Sequence, residues 1–288
     1  MQRQNLDSIN DSLDVSTNVT PPTSIFSLPP KKSFTEELEQ AFAKNMKRDT
    51  FKLKPYTLFS IESLDWQQLS IASLPNNQSE VYFTISSGNL FWLLPDIIDK
   101  FQYFVIGDIS PEFCSLQKTV LDLYKNSENG EEFKMKMKEA IKLTSNQSEY
   151  FKQHLSNFPY DDQEAFLKSK KAIENVLSQN RLAIININIT DSNDAKIFSN
   201  CLGRNRLSIK FFNITNTHTW VPSPLLCQFL DRLLNEDSVI CFTSSVGRGS
   251  SGGYLSAGEF KQKLSQLKSD VVSGLYREVK QAQPAKKL

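Results

Sequence analysis

The chain has 288 residues, of which 39% are hydrophobic and 23% charged, with a formal net charge of +1. That length can bury a substantial core and fits one large domain with insertions or two small ones. The balanced charge gives no global field for nucleic acid or an anionic membrane, and no apolar run reaches membrane-spanning length, so neither partner is expected.

In chain order, residues 1–30 are polar and rich in Ser, Asn, Thr and Pro, which reads as a disordered leader. They hold no signal-peptide run, so a cytoplasmic location is expected; export by a leaderless secretion route fits the same sequence. Residues 31–80 read as an N-terminal helical segment. Ser33 precedes Glu36 and Glu37, and Leu38, Phe42 and Met46 recur at helical spacing, predicting a helix from Ser33 to about Arg48. A Rossmann-like domain is expected over 81–280. Val81 to Ile85 is β-branched and aromatic, as a short buried strand requires. Ser86, Ser87, Gly88 and Asn89 break it with residues that tolerate tight turns, and a helix follows through Leu90, Leu93, Leu94, Ile97 and Ile98. A second strand, Tyr103 to Gly107, ends in Asp108, and Ser110-Pro111 opens the next helix.

From about 121 to 179 the pattern is helical with charges of both signs, predicting an insertion between the second and third strands. Its lysines Lys134, Lys136, Lys138 and Lys142 read as a solvated helix face, or as a surface for an anionic acceptor. Strand–helix alternation then returns. Leu182 to Ile189 is a buried strand ending at Thr190-Asp191, and the following helix is expected to end at Gly203. Leu207 to Ile214 is a strand closed by Thr215, Asn216, His218 and Trp220. A helix runs through Leu225 to Leu233, and Ser238 to Phe242 is a further strand. The Gly/Ser run from Val246 to Gly253 lacks the spacing and lysine of a phosphate loop and reads as a flexible connector. The last helix is expected from about Ala257 to Lys280, with a basic tail over 281–288. The fold class is therefore α/β, a doubly wound and mostly parallel sheet with a helical insertion and an N-terminal helical segment.

Ligands of such sheets bind outside the carboxyl ends of the strands. Asp108 follows the Gly88 turn by about 20 residues, the spacing at which a βαβ unit presents a carboxylate to ribose hydroxyls. The alternative is that Asp108 caps the helix after it. A turn with a single glycine suits an adenosine ligand with no phosphate to wrap. Asp191 can accept from an adenine amino group or cap the next helix. Asn213 and Asn216 can donate and accept near a substrate, and His218 is either a general base or a surface-loop histidine. The cysteines Cys114, Cys201, Cys227 and Cys241 show neither CxxC nor histidine partners at ligand spacing, so they read as buried reduced thiols, and no metal site is expected.

The segment from Val81 to Lys118 is similar to the first two motifs of class I S-adenosylmethionine-dependent transferases. More narrowly, Asp108-Ile109-Ser110-Pro111, followed by Phe113, Leu116, Gln117 and Lys118, resembles the Asp-x-Asn-Pro helix opening of the 3-amino-3-carboxypropyl transferases that build betaine lipids. Phe212 to Trp220, FNITNTHTW, resembles the Leu-Ser-Asn strand-end motif of the same group. The family turn carries more glycine, where this chain has Ser86 and Ser87. The resemblance implies a Rossmann-like methyltransferase fold and S-adenosylmethionine as cofactor. It implies cofactor contacts from Ser86, Ser87, Gly88, Asn89, Asp108, Ile109 and Asp191, with Asn213, Asn216 and His218 on the catalytic side. Two function classes follow: transfer of a methyl or aminocarboxypropyl group to an unidentified small-molecule or protein acceptor, or a non-catalytic cofactor-binding or interaction module that retains the fold.

Overall fold

A computed structural model of the chain describes residues 32–45, 71–72, 74, 80–85, 90–140, 161–215, 221, 223–246 and 249–266. Six strands form one sheet in the order β3-β2-β1-β4-β5-β6. They are β1 (Glu80–Ile85), β2 (Tyr103–Asp108), β3 (Leu182–Asn186), β4 (Ser208–Thr215), β5 (Leu234–Val246) and β6 (Gly249–Ser256). The first five run parallel, and β6 pairs antiparallel with β5. The described helices are α1 (Phe34–Phe42), α2 (Leu90–Ile97), α3 (Pro111–Lys125), α4 (Gly130–Ala140), α5 (Gln163–Ser178), α6 (Ser192–Asn205), α7 (Ser223–Leu233) and α8 (Ala257–Gln266). This is the doubly wound α/β fold expected from the alternation of elements.

Strand alternation explains the two layers. Tyr82, Phe104, Ile106, Leu182, Ile184, Phe211 and Cys241 face α2, α3, α4 and α5 in one core. Their neighbours Val81, Phe83, Ile85, Val105, Ala183, Ile185, Ile209, Phe212 and Ile214 face α1, α6, α7 and α8 in the other. A parallel sheet buried on both faces demands near-continuous apolar strands, which these are. Winding starts at β1, moves outward through β2 to β3, then returns to β4 on the other side of β1. The strand order therefore reverses between β1 and β4, the topological switch point of such sheets.

Local signals set most boundaries. At α1, Ser33 and Glu36 form a reciprocal capping box, as the sequence spacing predicts. The helix ends at Phe42 rather than near Arg48 and passes into a turn through Ala43 to Asn45; Met46 lies outside the described residues. Three described helices, α3, α4 and α5, lie between β2 and β3, where a minimal unit needs one, and residues 141–160 of the expected insertion lie outside the described residues. Lys134 pairs with Glu131 and Asp161, and Lys136 with Glu132, so these two lysines of α4 belong to a solvated, ion-paired helix face.

Two expectations are corrected. Helix α6 does not stop at Gly203. It continues to Asn205 and ends on Arg206, which takes the left-handed conformation at φ 55°, its N–H bonded to Gly203 O and Leu207 N to Leu202 O. Gly203 stays exposed inside the helix, with open space where a Cβ would lie. The Gly/Ser run is not a slack connector either. From Gly249 onward it is β6, in register with β5 from Val246↔Gly249 to Val239↔Ser256. The ladder satisfies a backbone whose side chains carry almost no strand preference of their own. Gly247 and Arg248 lie outside the described residues, as do the predicted helix beyond Gln266, the leader and the basic tail. No described helix is long and apolar enough to cross a membrane.

Candidate functional site

At the carboxyl end of the sheet, four neighbouring strands carry a polar residue where their bodies are apolar. These are Asn186 on β3, Asp108 on β2, Thr84 on β1 and Asn213 on β4, all buried. Strand alternation puts all four on the face shared with Tyr82, Phe104, Ile184 and Phe211. The other face remains apolar to the same height, with Ile85, Ile187, Ile214 and Phe242. Two adjacent register pairs tie the row together: Asp108 lies opposite Asn186, and Thr84 opposite Asn213.

Asp108 is 2% exposed, and its Oδ1 accepts from Ser110 N at 2.7 Å. The N-cap of α3 is Ser110, whose Oγ accepts from Phe113 N, with Pro111 at the first helical position. The sequence alternative, in which Asp108 caps that helix, is therefore corrected. The carboxylate sits two residues before the N-cap of α3, at the end of the sheet where α2 and α3 both start with their positive ends. Ile109 is half-buried between Asp108 and the cap. The Asp108 carbonyl is fixed as firmly as its side chain, accepting from Ile187 N at 2.8 Å and from Asn186 Nδ2 at 3.0 Å.

Cys114, one turn into α3, donates through Sγ to Ile185 O at 3.3 Å beneath this point. Burial, with the Asp108 charge second, pushes its thiol up to about 12. It is a packing group rather than a nucleophile.

Asp191 is the N-cap of α6, its carboxylate accepting from Asn193 N at 2.8 Å. The loop before it is held by local bonds. Asn188 Oδ1 accepts from both the N–H and hydroxyl of Thr190, while the buried Asp194 accepts from Asn188 N and Asn45 Nδ2. Asn213 is fully buried and donates through Nδ2 to Thr84 Oγ1 at 3.1 Å, a bond across β1 and β4 at the switch point. Ser86, Ser87, Gly88, Asn89, Asn216 and His218 lie outside the described residues.

Sequence reasoning missed Thr84, Asn186, Asn45 and Asp194. The first two carried a usable signal: each is the polar break in an apolar strand, on the same alternate face as the Asp108 already singled out. Asn45 and Asp194 meet across 149 positions, which no local pattern reveals.

A cavity of about 340 Å³ opens beside this row, on the outer edge of β3 between α1 and α3. Its lining includes Glu36, Glu39, Lys118 and Asn186. Glu39 accepts the outward-facing N–H of Ile184 and lies 3.6 Å from Lys118, so a side chain shields what would be a bare sheet edge.

No protein-family model matches the chain, and no curated protein matches it. Among solved structures, it is similar to the rRNA methyltransferase aviRa from Streptomyces viridochromogenes, at 14% identity and a TM-score of 0.42, over 81% of this chain and 99% of that one. The fold assignment rests on the chain's own strand order and register.

Proposed function

We propose that the protein is an S-adenosylmethionine-dependent transferase that binds its donor over the carboxyl ends of β1 and β2. One observation carries this reading. At the end of β2 stands a buried carboxylate that is not the helix cap, held in a polar row confined to one sheet face at the switch point. That chemistry fits the paired hydroxyls of a ribose, which donate two hydrogen bonds to one ionised acceptor. The resemblance of the Asp108-Ile109-Ser110-Pro111 segment to the transferase motif supports the same assignment.

When bound, the donor supplies an electrophilic methyl or aminocarboxypropyl carbon on a sulfonium. The chain's own work is then positional. Asp108 holds the ribose, with Ile109 alongside it, and the Ser86–Asn89 turn admits the donor where Gly88 removes side-chain bulk. Asp191, as a cap, orders the loop after β3 that flanks the adenine side. The motif resemblance assigns Asn216 and His218, which lie outside the described residues, to the acceptor side, where a nucleophile that must lose a proton needs a base. Asn213 ties β4 to β1 through Thr84. The acceptor is a small molecule or a protein.

Calorimetry with S-adenosylmethionine and S-adenosylhomocysteine tests the reading directly. The parent protein should bind both. Asp108→Ala should weaken S-adenosylhomocysteine by about 1.5–3 kcal/mol, the worth of hydrogen bonds to a charged group, with little change in melting. A parent that binds neither ligand, or an Asp108→Ala variant that binds as the parent does, overturns it.

One observation favours a second reading, cofactor binding without transfer: Asn213 is buried and its amide is bonded to Thr84 across β1 and β4, which suits a structural role. Turnover separates the two. In an enzyme, Asn216→Ala and His218→Gln should lower the rate of product release (S-adenosylhomocysteine after methyl transfer, methylthioadenosine after aminocarboxypropyl transfer) more than donor affinity, the pattern of contacts made in the transition state.

A further inference from the structure

We infer that Asn186 is the positioning residue for the Asp108 carboxylate; this rests on the cofactor reading above. Asn186 ends β3 directly opposite Asp108 in the register, and both are 2% exposed. Its Nδ2 donates to the Asp108 carbonyl at 3.0 Å, beside the bond that the same carbonyl accepts from Ile187 N. Its own carbonyl accepts from Asn45 Nδ2 at 3.2 Å, and that same Nδ2 also reaches Asp194 Oδ1 at 3.1 Å. The Cys114 thiol of α3 lies 3.9 Å from the same Asp108 carbonyl. Asn186 thus ties the end of β2 to Asn45 in the turn after α1, and Asn45 in turn holds Asp194 of α6.

The consequence is orientational. Strand pairing stops at this residue, so the sheet bond from Ile187 N and the long 3.9 Å contact from the Cys114 thiol leave the last residue of β2 some freedom about its ψ. The Asn186 amide adds a donor to the same carbonyl, from a residue whose main-chain carbonyl is held by Asn45, and removes that freedom. Ser110 N then fixes one carboxylate oxygen from the other side. Asp108 is held at both its main chain and its side chain, the arrangement that keeps a binding group within a fraction of an ångström of its working geometry. An apolar residue at 186 would pack as well against Ile184 and Cys114 and would still pair with β2. Strand formation therefore does not need the amide, whereas a fixed Asp108 does.

The test is a double-mutant cycle read by calorimetry with S-adenosylhomocysteine. Asn186→Leu should weaken binding about five- to tenfold, within the range of coupling inside one hydrogen-bond network. In the Asp108→Ala background the same change should cost less than about twofold, because the group it positions is gone. A merely structural role would give equal losses in both backgrounds. Asn186→Ser, smaller and still polar, carries the same cycle if Asn186→Leu fails to fold by circular dichroism. Equal losses in the two backgrounds, or no loss in either, overturn this inference while leaving the cofactor reading intact. A parent protein that binds no S-adenosylhomocysteine overturns both.

Discussion

The two ends of the sheet are finished in different ways. At the amino end, side chains close the structure on itself. Arg181 donates from Nη2 to Ile98 O and Phe101 O, both at 2.6 Å, and from Nε to Gln102 O at 2.9 Å, while its guanidinium lies 5.6 Å over the Phe104 ring. Ser238 Oγ donates to Ile209 O at 2.7 Å, and Lys100 Nζ to Ile71 O at 3.0 Å. These bonds satisfy carbonyls that loops and the end of α2 leave over. At the carboxyl end, the polar groups are carried by the strands themselves and gather on a single face. One end is sealed by long, charged side chains aimed at backbone. The other presents short, rigid side chains in a row. Stability and binding should therefore separate by end, and substitutions can break or sharpen that division.

The largest effect is expected on the apolar face at the carboxyl end. A Cβ at Gly107 would lie 2.7 Å from Ile187 Cγ2 and 2.9 Å from Phe83 Cε2. Phe83 has little room to yield: its ring stacks on Phe212 at 4.6 Å and meets Phe198 edge-on at 5.1 Å. Overpacking of this kind costs about 1–3 kcal/mol and occasionally more. Gly107→Val should fall at the top of that range in urea unfolding, and Gly107→Ala at the bottom. A variant at Gly107 that unfolds with the parent's midpoint would mean this face is looser than its contacts describe.

Arg181 comes next and bears on the amino end. Arg181→Ala leaves the carbonyls of Ile98 and Phe101 without their donor, a loss of about 1–3 kcal/mol. Arg181→Lys should recover only part, because a single ammonium cannot serve three carbonyls as a planar fork does. Affinity for S-adenosylhomocysteine should be unchanged in both. Asp108→Ala should show the reverse, a loss of affinity with an ordinary melt. If Arg181→Ala weakens the cofactor as much as it lowers stability, the two ends are coupled and the division is wrong.

The contrast also explains what was legible in the sequence. Strands β1 to β4 announce themselves as β-branched and aromatic runs, and Ser33–Glu36 and Ser110–Pro111 mark helix starts by local chemistry that needs no partner. The end of β2 at Asp108 was readable because the strand–turn–helix–strand spacing is a property of one βαβ unit. Strand β6 was not readable, since Gly and Ser have no strand preference and only the β5 ladder makes them one. The end of α6 was misplaced because Gly203 is the residue a left-handed cap favours, yet Arg206 takes that conformation. There, Asn205 bonds both Glu37 and Cys201 O, carrying the helix past the glycine. Asn45 and Asp194 depend on contacts between distant segments, so their roles emerge only once the chain is folded.

The smallest predicted effect belongs to an ion pair near the amino end. Lys210 on β4 donates to Asp237 on β5 at 2.6 Å, and that hydrogen bond, with the ammonium charge behind it, holds the Asp237 carboxyl below its ordinary range. Asp237 is largely solvent-exposed, so screening limits the pair to about 0.2–1 kcal/mol. Asp237→Asn should cost no more than this at neutral pH and low salt, and less as salt rises. The sign of its pH dependence follows from the lowered pKa. The unfolded carboxyl, near 3.9, takes up a proton before the folded one does. The pair's contribution is therefore complete above about pH 4–5 and is lost as pH falls through the folded value. Unfolding curves of parent and Asp237→Asn should differ slightly at pH 7 and converge in acid. A difference that persists or grows below pH 3 would show that Asp237 acts through packing and not through its charge.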